Sequence, residues 1–228
     1  MVESLKNYGK SLPECMRSIS PETQKRAKKI AMGVLRKELG LWSMMRFFFK
    51  ISKERKRLMS VDLSSIRQKI PDERFIQSLI DDTALFSAME QVAGMEKTIQ
   101  VHYEILDKTA LMLQSEIFPD PEKFNQFEDP FGAFKDYALK LMDADQKLGV
   151  HLYKLTENSD QALQMDVHSC AWYDVRKLLG IPEAALPSCY GDDVFFPAVV
   201  KDIDLQYLRT KTLARGHEFC DFRFEKRE

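Results

Sequence analysis

The apolar residues of this chain change their spacing once, at Val150, and that switch limits the folds open to it. Upstream the steps are of three and four. Between residues 81 and 118, Leu85, Met89, Val92, Met95, Ile99, Tyr103, Leu106, Ala110, Leu113 and Ile117 mark one face of a helix. Downstream, Leu163, Met165 and Val167 alternate with Gln164, Asp166 and His168, the period of a half-buried strand. A helical pattern that gives way to strands predicts an α+β protein, with an N-terminal helical group packed on a C-terminal antiparallel sheet. The helical scaffold takes residues 1–149 and a cysteine-bearing α+β segment takes 150–228, the two forming one compact unit with a pocket between them.

Local signals divide these halves further. Residues 1–20 show no sustained period and read as an arm carrying Pro13 and Cys15. Ser20-Pro21 is a helix start, and Gly40 stops the helix that it opens. A second helix, residues 41–58, carries Met44, Met45, Phe47, Phe48 and Phe49, then Lys53, Arg55, Lys56 and Arg57. It reads as a buried helix with a solvated basic end; an amphipathic membrane- or partner-binding helix is the alternative. In the helix over 81–118, Asp82 or Thr83 is the expected cap and Pro119 the terminator. Asp129-Pro130 opens a further helix with Phe131, Phe134, Ala138 and Leu141 inward. A hairpin turns at Glu157-Asn-Ser-Asp160, and simple alternation puts His168 and Cys170 on one face, opposite the apolar set. Residues 171–179 return to helix, Cys189 falls in a loop, and 205–213 pairs with 219–224 in a second hairpin about Arg215-Gly216.

Charge excludes some partners. Lys and Arg number 34 against 35 Asp and Glu, so no overall field recruits nucleic acid or an anionic membrane. The most apolar run, residues 39–49, is interrupted by Ser43 and Arg46 and falls short of the roughly 20 apolar residues that a membrane span needs. Met1-Val-Glu-Ser-Leu-Lys lacks the apolar core of a secretory signal, which points to a cytoplasmic protein with reduced cysteines.

The chemistry gathers in the last third. Residues 165–224 hold three of the four cysteines (Cys170, Cys189, Cys220), with His168, His217 and the pair Asp192-Asp193. Such a set serves either a thiolate nucleophile with a neighbouring acid or base, or a Cys/His/Asp metal site. No Cys-x-x-Cys or His-x-x-x-His spacing favours metal, and no motif names a cofactor. Cys220 alternates in phase with Phe222 and Phe224, as a core residue would, whereas Cys189 sits among Pro187, Gly191 and two aspartates like a functional residue. Asp221 and Arg223 share the other face of that strand, where an ion pair to a neighbour is the plain reading and substrate-carboxylate binding by Arg223 the sharper one.

Several blocks together resemble the 2-aminothiazoline-4-carboxylate hydrolase family: the strand ending in Cys170, Leu179-Gly180-Ile-Pro-Glu183, Cys189-Tyr-Gly-Asp192, Arg209-Thr-Lys-Thr-Leu-Ala-Arg-Gly216 and Cys220-Asp-Phe-Arg-Phe224. The resemblance implies a cytoplasmic hydrolase that opens a C–N or C–S bond in a small cyclic amino acid. It implies catalytic roles for Cys170, Cys189, Asp192, Cys220 and Asp221, with Cys189 as nucleophile or ligand and Asp192 handling water. Arg209, Arg223 and His168 become the substrate-binding candidates. The partner is then a small-molecule substrate or ligand, with self-association into a homo-oligomer left open. A fainter likeness in layout to small-molecule-binding domains related to vinyl reductases supplies the second reading, a binding or sensing domain without catalysis.

Overall fold

The structure, a computed structural model, describes residues 2–227. Six helices come first: α1 (Leu12–Met16), α2 (Pro21–Met59), α3 (Ser64–Lys69), α4 (Glu73–Ala93), α5 (Met95–Ile117) and α6 (Pro130–Lys147). The hairpin of β1 (His151–Asn158) and β2 (Ala162–Cys170) follows, then α7 (Ala171–Leu178), α8 (Leu186–Val200), β3 (Leu205–Leu208) and β4 (Cys220–Lys226). The sheet runs β1-β2-β4-β3 with every neighbouring pair antiparallel, so the fold is α+β as its periodicity predicts. No helix among the described residues is long and apolar enough to cross a membrane.

Caps and glycines fix the helix ends. Ser20 accepts from the Thr23 N–H at the start of α2, and Asp129 accepts from Gly132 N–H at the start of α6. Gly40 interrupts α2 with φ 69°, joining the two expected helices end to end. The expected helix over 81–118 is instead two. Gly94, at φ 83°, breaks it, and α4 begins earlier at an Asp72 cap, leaving Asp82 and Thr83 inside α4. Glycine takes that left-handed value without the Cβ penalty that other residues bear. The N-terminal arm also differs from expectation. Ser11 and Glu14 form a capping box on α1, and Cys15 is fully buried against Ile117 and Leu141.

The second half of α2 is not a buried helix. Met44 and Phe47 face inward, and Phe47 packs with Ala88, Met89 and Val101 of α4 and α5. The opposite face is apolar and open to solvent, with Trp42 at 79% and Phe49 at 85% exposure beside Leu41, Met45 and Phe48. Two neighbouring helices can cover only one side of a third. Because Phe49 loses nothing on unfolding, Phe49→Ser is expected to shift the stability measured by urea unfolding by less than about 0.5 kcal/mol. The basic end is solvated as expected, apart from Glu54, which is buried and accepts from Ser87 Oγ at 2.9 Å.

Two core clusters hold the halves together. Phe131, Phe134 and Tyr137 of α6 pack on Leu163 and Met165 of β2 and Phe224 of β4. Val175 of α7 joins Ile76, Ile80 and Phe86 of α4 in the other. One detail of the hairpin matters for the site. Val167 lies opposite Tyr153 but Ser169 lies opposite Leu152, so β2 carries one extra residue at His168. That bulge slips the alternation by one. His168 therefore turns out to solvent against Phe219, and Cys170 turns in with Met165 and Val167, so the two do not share a face. The strand expected over 205–213 ends at Leu208; the chain then folds through a 3-10 turn at Leu213–Arg215, closed by Gly216 at φ 86°.

Candidate active site

A cavity of about 360 Å³ lies between α1, α5, α6, α8 and the inner face of the sheet. Its wall is mostly aliphatic and aromatic. One end is polar and collects His151, Cys170, Cys189, Asp192, Arg209 and Cys220. The three cysteines of the last third thus reach one cavity from three elements: Cys170 from the end of β2, Cys189 from α8 and Cys220 from the start of β4. Cys189 stands on a helix and not in the expected loop. Pro187 is tolerated in the first turn of α8, and Phe195 and Val200 anchor the helix in the core.

His151 and Cys170 are register partners at the ends of β1 and β2, so their side chains meet on one face. The ring of His151 stands beside Cys170, which raises its pKa, and hydrogen-bonds the Asp145 carboxylate through Nδ1 at 3.0 Å. Trp172 stacks on the ring at 5.5 Å and fixes its plane. Asp145 is completely buried in the last turns of α6 and also accepts the Leu12 N–H at 2.6 Å. Burial works against a charged ring, yet Cys170 and Asp145 outweigh it and carry His151 up to about 10. At neutral pH the ring is therefore an imidazolium, placed between Cys170 and Asp145. Cys170 also occupies the N-cap of α7, whose first turn no side chain caps, and this end of a helix favours negative charge on the sulfur.

The other two thiols sit differently. Burial, with Asp192 and Cys170 adding to it, pushes the Cys189 thiol far up. Cys220, pushed up to about 11 by burial, takes a hydrogen bond from Leu213 N–H at 3.2 Å. Both are neutral thiols at ordinary pH. Arg209 is held by Asp192 at 3.1 Å, Asp193 at 2.7 Å and the Cys189 carbonyl at 2.5 Å. Its two carboxylates keep the guanidinium charged, and with two acids to one cation, burial raises Asp192 to about 6. In the unfolded chain an aspartate titrates near about 3.9. Below that value both states hold the proton. Between it and about 6 the folded state alone does, so the Asp192 contribution to stability falls as pH rises through this window. Urea unfolding of wild type and Asp192→Asn should show it as a stability difference that moves in favour of the variant from pH 4 to pH 7 and is flat above.

Three of the residues expected at the site lie elsewhere. Asp221 turns away from the cavity and binds Thr210 N–H, Thr210 Oγ1 and Lys211 N–H, holding the loop after β3. Arg223 pairs across the sheet with Glu157 of β1, the plain reading of that position, and also with Glu225 on its own strand. His168 faces solvent because of the bulge. Sequence reasoning missed His151 and Asp145, although His151 stands directly after the change of period at Val150. Among the described residues, no group of three or more Cys, His, Asp or Glu side chains is arranged to hold a metal ion.

Fold and cavity together define an α+β protein with a sulfur-lined cavity. The sequence profile of the L-2-amino-thiazoline-4-carboxylic acid hydrolase family matches residues 73–224, from the start of α4 into β4, and the chain belongs to that hydrolase-like family. No curated protein and no solved structure matches the chain.

Proposed function

We propose that this chain is a cysteine-dependent hydrolase that breaks a C–N or C–S bond at an amidine-type or acyl carbon, with Cys170 as nucleophile. The observation that carries this reading is the row Cys170–His151–Asp145 at the polar end of the cavity. A thiol, an imidazole and a buried carboxylate in that order have the roles of nucleophile, acid–base group and orienter. The nucleophile moves from Cys189 to Cys170 because Cys189 has no imidazole beside it and is held as a neutral thiol.

The Cys170 thiolate forms a C–S bond to the electrophilic carbon while the π electrons of its C=N or C=O bond move onto the heteroatom. Backbone N–H groups of Trp172 and Tyr173, in the uncapped first turn of α7, are free to receive that charge. The electrons return, the C–N or C–S bond to the leaving group breaks, and the leaving atom takes the proton of His151. Water then bonds to the same carbon as His151 regains a proton from it, and collapse expels the Cys170 thiolate. Asp192, half ionised near pH 6, is a second proton acceptor on this wall.

Acid quenching during turnover of 2-amino-2-thiazoline or a p-nitrophenyl ester, with mass spectrometry of the peptides, tests the assignment. The expected product is an imidoyl or acyl adduct on Cys170. An adduct on Cys189 or Cys220, or undiminished turnover by Cys170→Ala, overturns it.

A further inference from the structure

The near-neutral total of the chain conceals a separation of charge. Twelve of its 34 Lys and Arg lie in α2 against three of its 35 Asp and Glu, so this helix carries a formal +9 and the remainder −10. We infer that the second half of α2 seats the protein on the surface of an anionic bilayer, with its open apolar face among the lipid headgroups and its unpaired cations on their phosphates. The inference is independent of the chemistry assigned to the cavity, because no residue of α2 lines that cavity.

Of the twelve large apolar side chains exposed among the described residues, six stand on this half-helix: Leu41, Trp42, Met45, Phe48, Phe49 and Met59. Such a concentration marks a contact surface, where scattered single residues would not. Trp42, Met45 and Phe49 recur at steps of three and four, which aligns them along the side opposite the buried Met44, Phe47 and Leu58. Lys53 and Lys56 continue the same stripe, and Arg46 flanks it. Trp42 and Phe49 lie about 10 Å apart along the axis, and Phe49 and Lys56 as far again. These three cations are exposed and no ion pair engages them among the described residues, whereas Arg55 and Arg57 are bound by Asp81 and Glu54.

Both components point to lipid. An aromatic and aliphatic face beside lysine and arginine suits a helix lying in the bilayer interface, its rings about 5–10 Å deep and its long cationic stems reaching back to the phosphates. Each free cation near an anionic leaflet adds to the attraction. Phe47 holds the helix on α4 and α5, so the face is ordered before docking and binding meets little entropic cost. A second copy of the chain fits less well. This half-helix has one carboxylate, the buried Glu54, so a self-contact would bring two sets of free cations together with no acid to meet them. In a nucleic acid the phosphates would meet the cations, but Leu41, Met45 and Met59 would gain nothing from them.

Co-sedimentation of the full chain with lipid vesicles tests this. In low salt the wild type should partition onto phosphatidylcholine vesicles holding about 30% phosphatidylglycerol at least about tenfold more strongly than onto phosphatidylcholine alone, and about 0.5 M NaCl should remove most of the difference. Phe49→Ser and the double variant Lys53→Glu/Lys56→Glu should each weaken the partition onto anionic vesicles by about tenfold or more, the first through lost burial and the second through charge. Trp42→Ser repeats the apolar test one turn and a half away. All of these variants should melt with wild type, since the face is solvated in the free protein. Equal partition onto the two kinds of vesicle, partition onto neither, or anionic binding that the variants leave intact overturns the inference. So does a wild-type dimer in sedimentation velocity that Phe49→Ser dissociates, or an oligonucleotide that displaces the vesicles and still binds Phe49→Ser at full strength.

Discussion

Cys170→Ala is expected to lower kcat/KM by about a thousandfold or more while the protein stays folded, a loss of the size seen when a covalent nucleophile is removed. Neither remaining thiol on the wall can take over. Cys189 and Cys220 are held neutral by burial, and the one imidazole among the described lining residues, His151, is already placed between Cys170 and Asp145. Cys189→Ala should therefore stay within about tenfold of wild type, because it alters only the packing and the partner field of Asp192. Steady-state kinetics of the two variants on one substrate decide the matter. The reverse ranking would return the nucleophile to α8. Cys170 lies at the surface of the cavity and not in the packed interior, so a thermal melt of the Ala variant should track wild type closely.

Why sequence reasoning found the wall and missed Asp145 and His151 beside it is a matter of register. The helices over α6 and the first half of α2 were legible because cap, proline and apolar stripe agree. The hairpin was legible from period two. At Gly94 the stripe misleads, since Met95 and Ile99 continue the spacing of Met89 and Val92 across a break that only the backbone angle reveals. The bulge at His168 is likewise silent in composition, yet it decides that Cys170 and not His168 meets the cavity. Asp145 and His151 are six residues apart on a helix and a strand. No single period links such positions; the turn between them does. The aspartates of α8 looked like a loop because Gly191 and Pro187 lower helix propensity, and packing against α5 and the core overrode it.

That turn makes Gly149→Ala the substitution with the largest expected cost in stability. Gly149 ends α6 at φ 73°, with its N–H on the Gln146 carbonyl and the Val150 N–H on the Asp145 carbonyl at 2.8 Å. A Cβ there would lie 2.0 Å from the Lys69 carbonyl oxygen, and that carbonyl belongs to backbone leading into Ile70, which is buried in the core. The left-handed angle alone costs an alanine about 1–2 kcal/mol. Relieving the clash means moving the end of α3 or the start of β1, which raises the expected loss in urea unfolding to at least about 3 kcal/mol. Gly180→Ala provides the control. Its φ is 79° with open space around the added methyl, so it should pay the angle alone. The same turn sets Asp145 against His151. Any Gly149→Ala protein that still folds should therefore lose activity well beyond its loss of folded fraction, and Gly180→Ala should not. Equal losses in the two variants would mean that the chain relaxes freely at the α6–β1 junction, and the row from Asp145 to Cys170 would then lack the rigid support on which its chemistry depends.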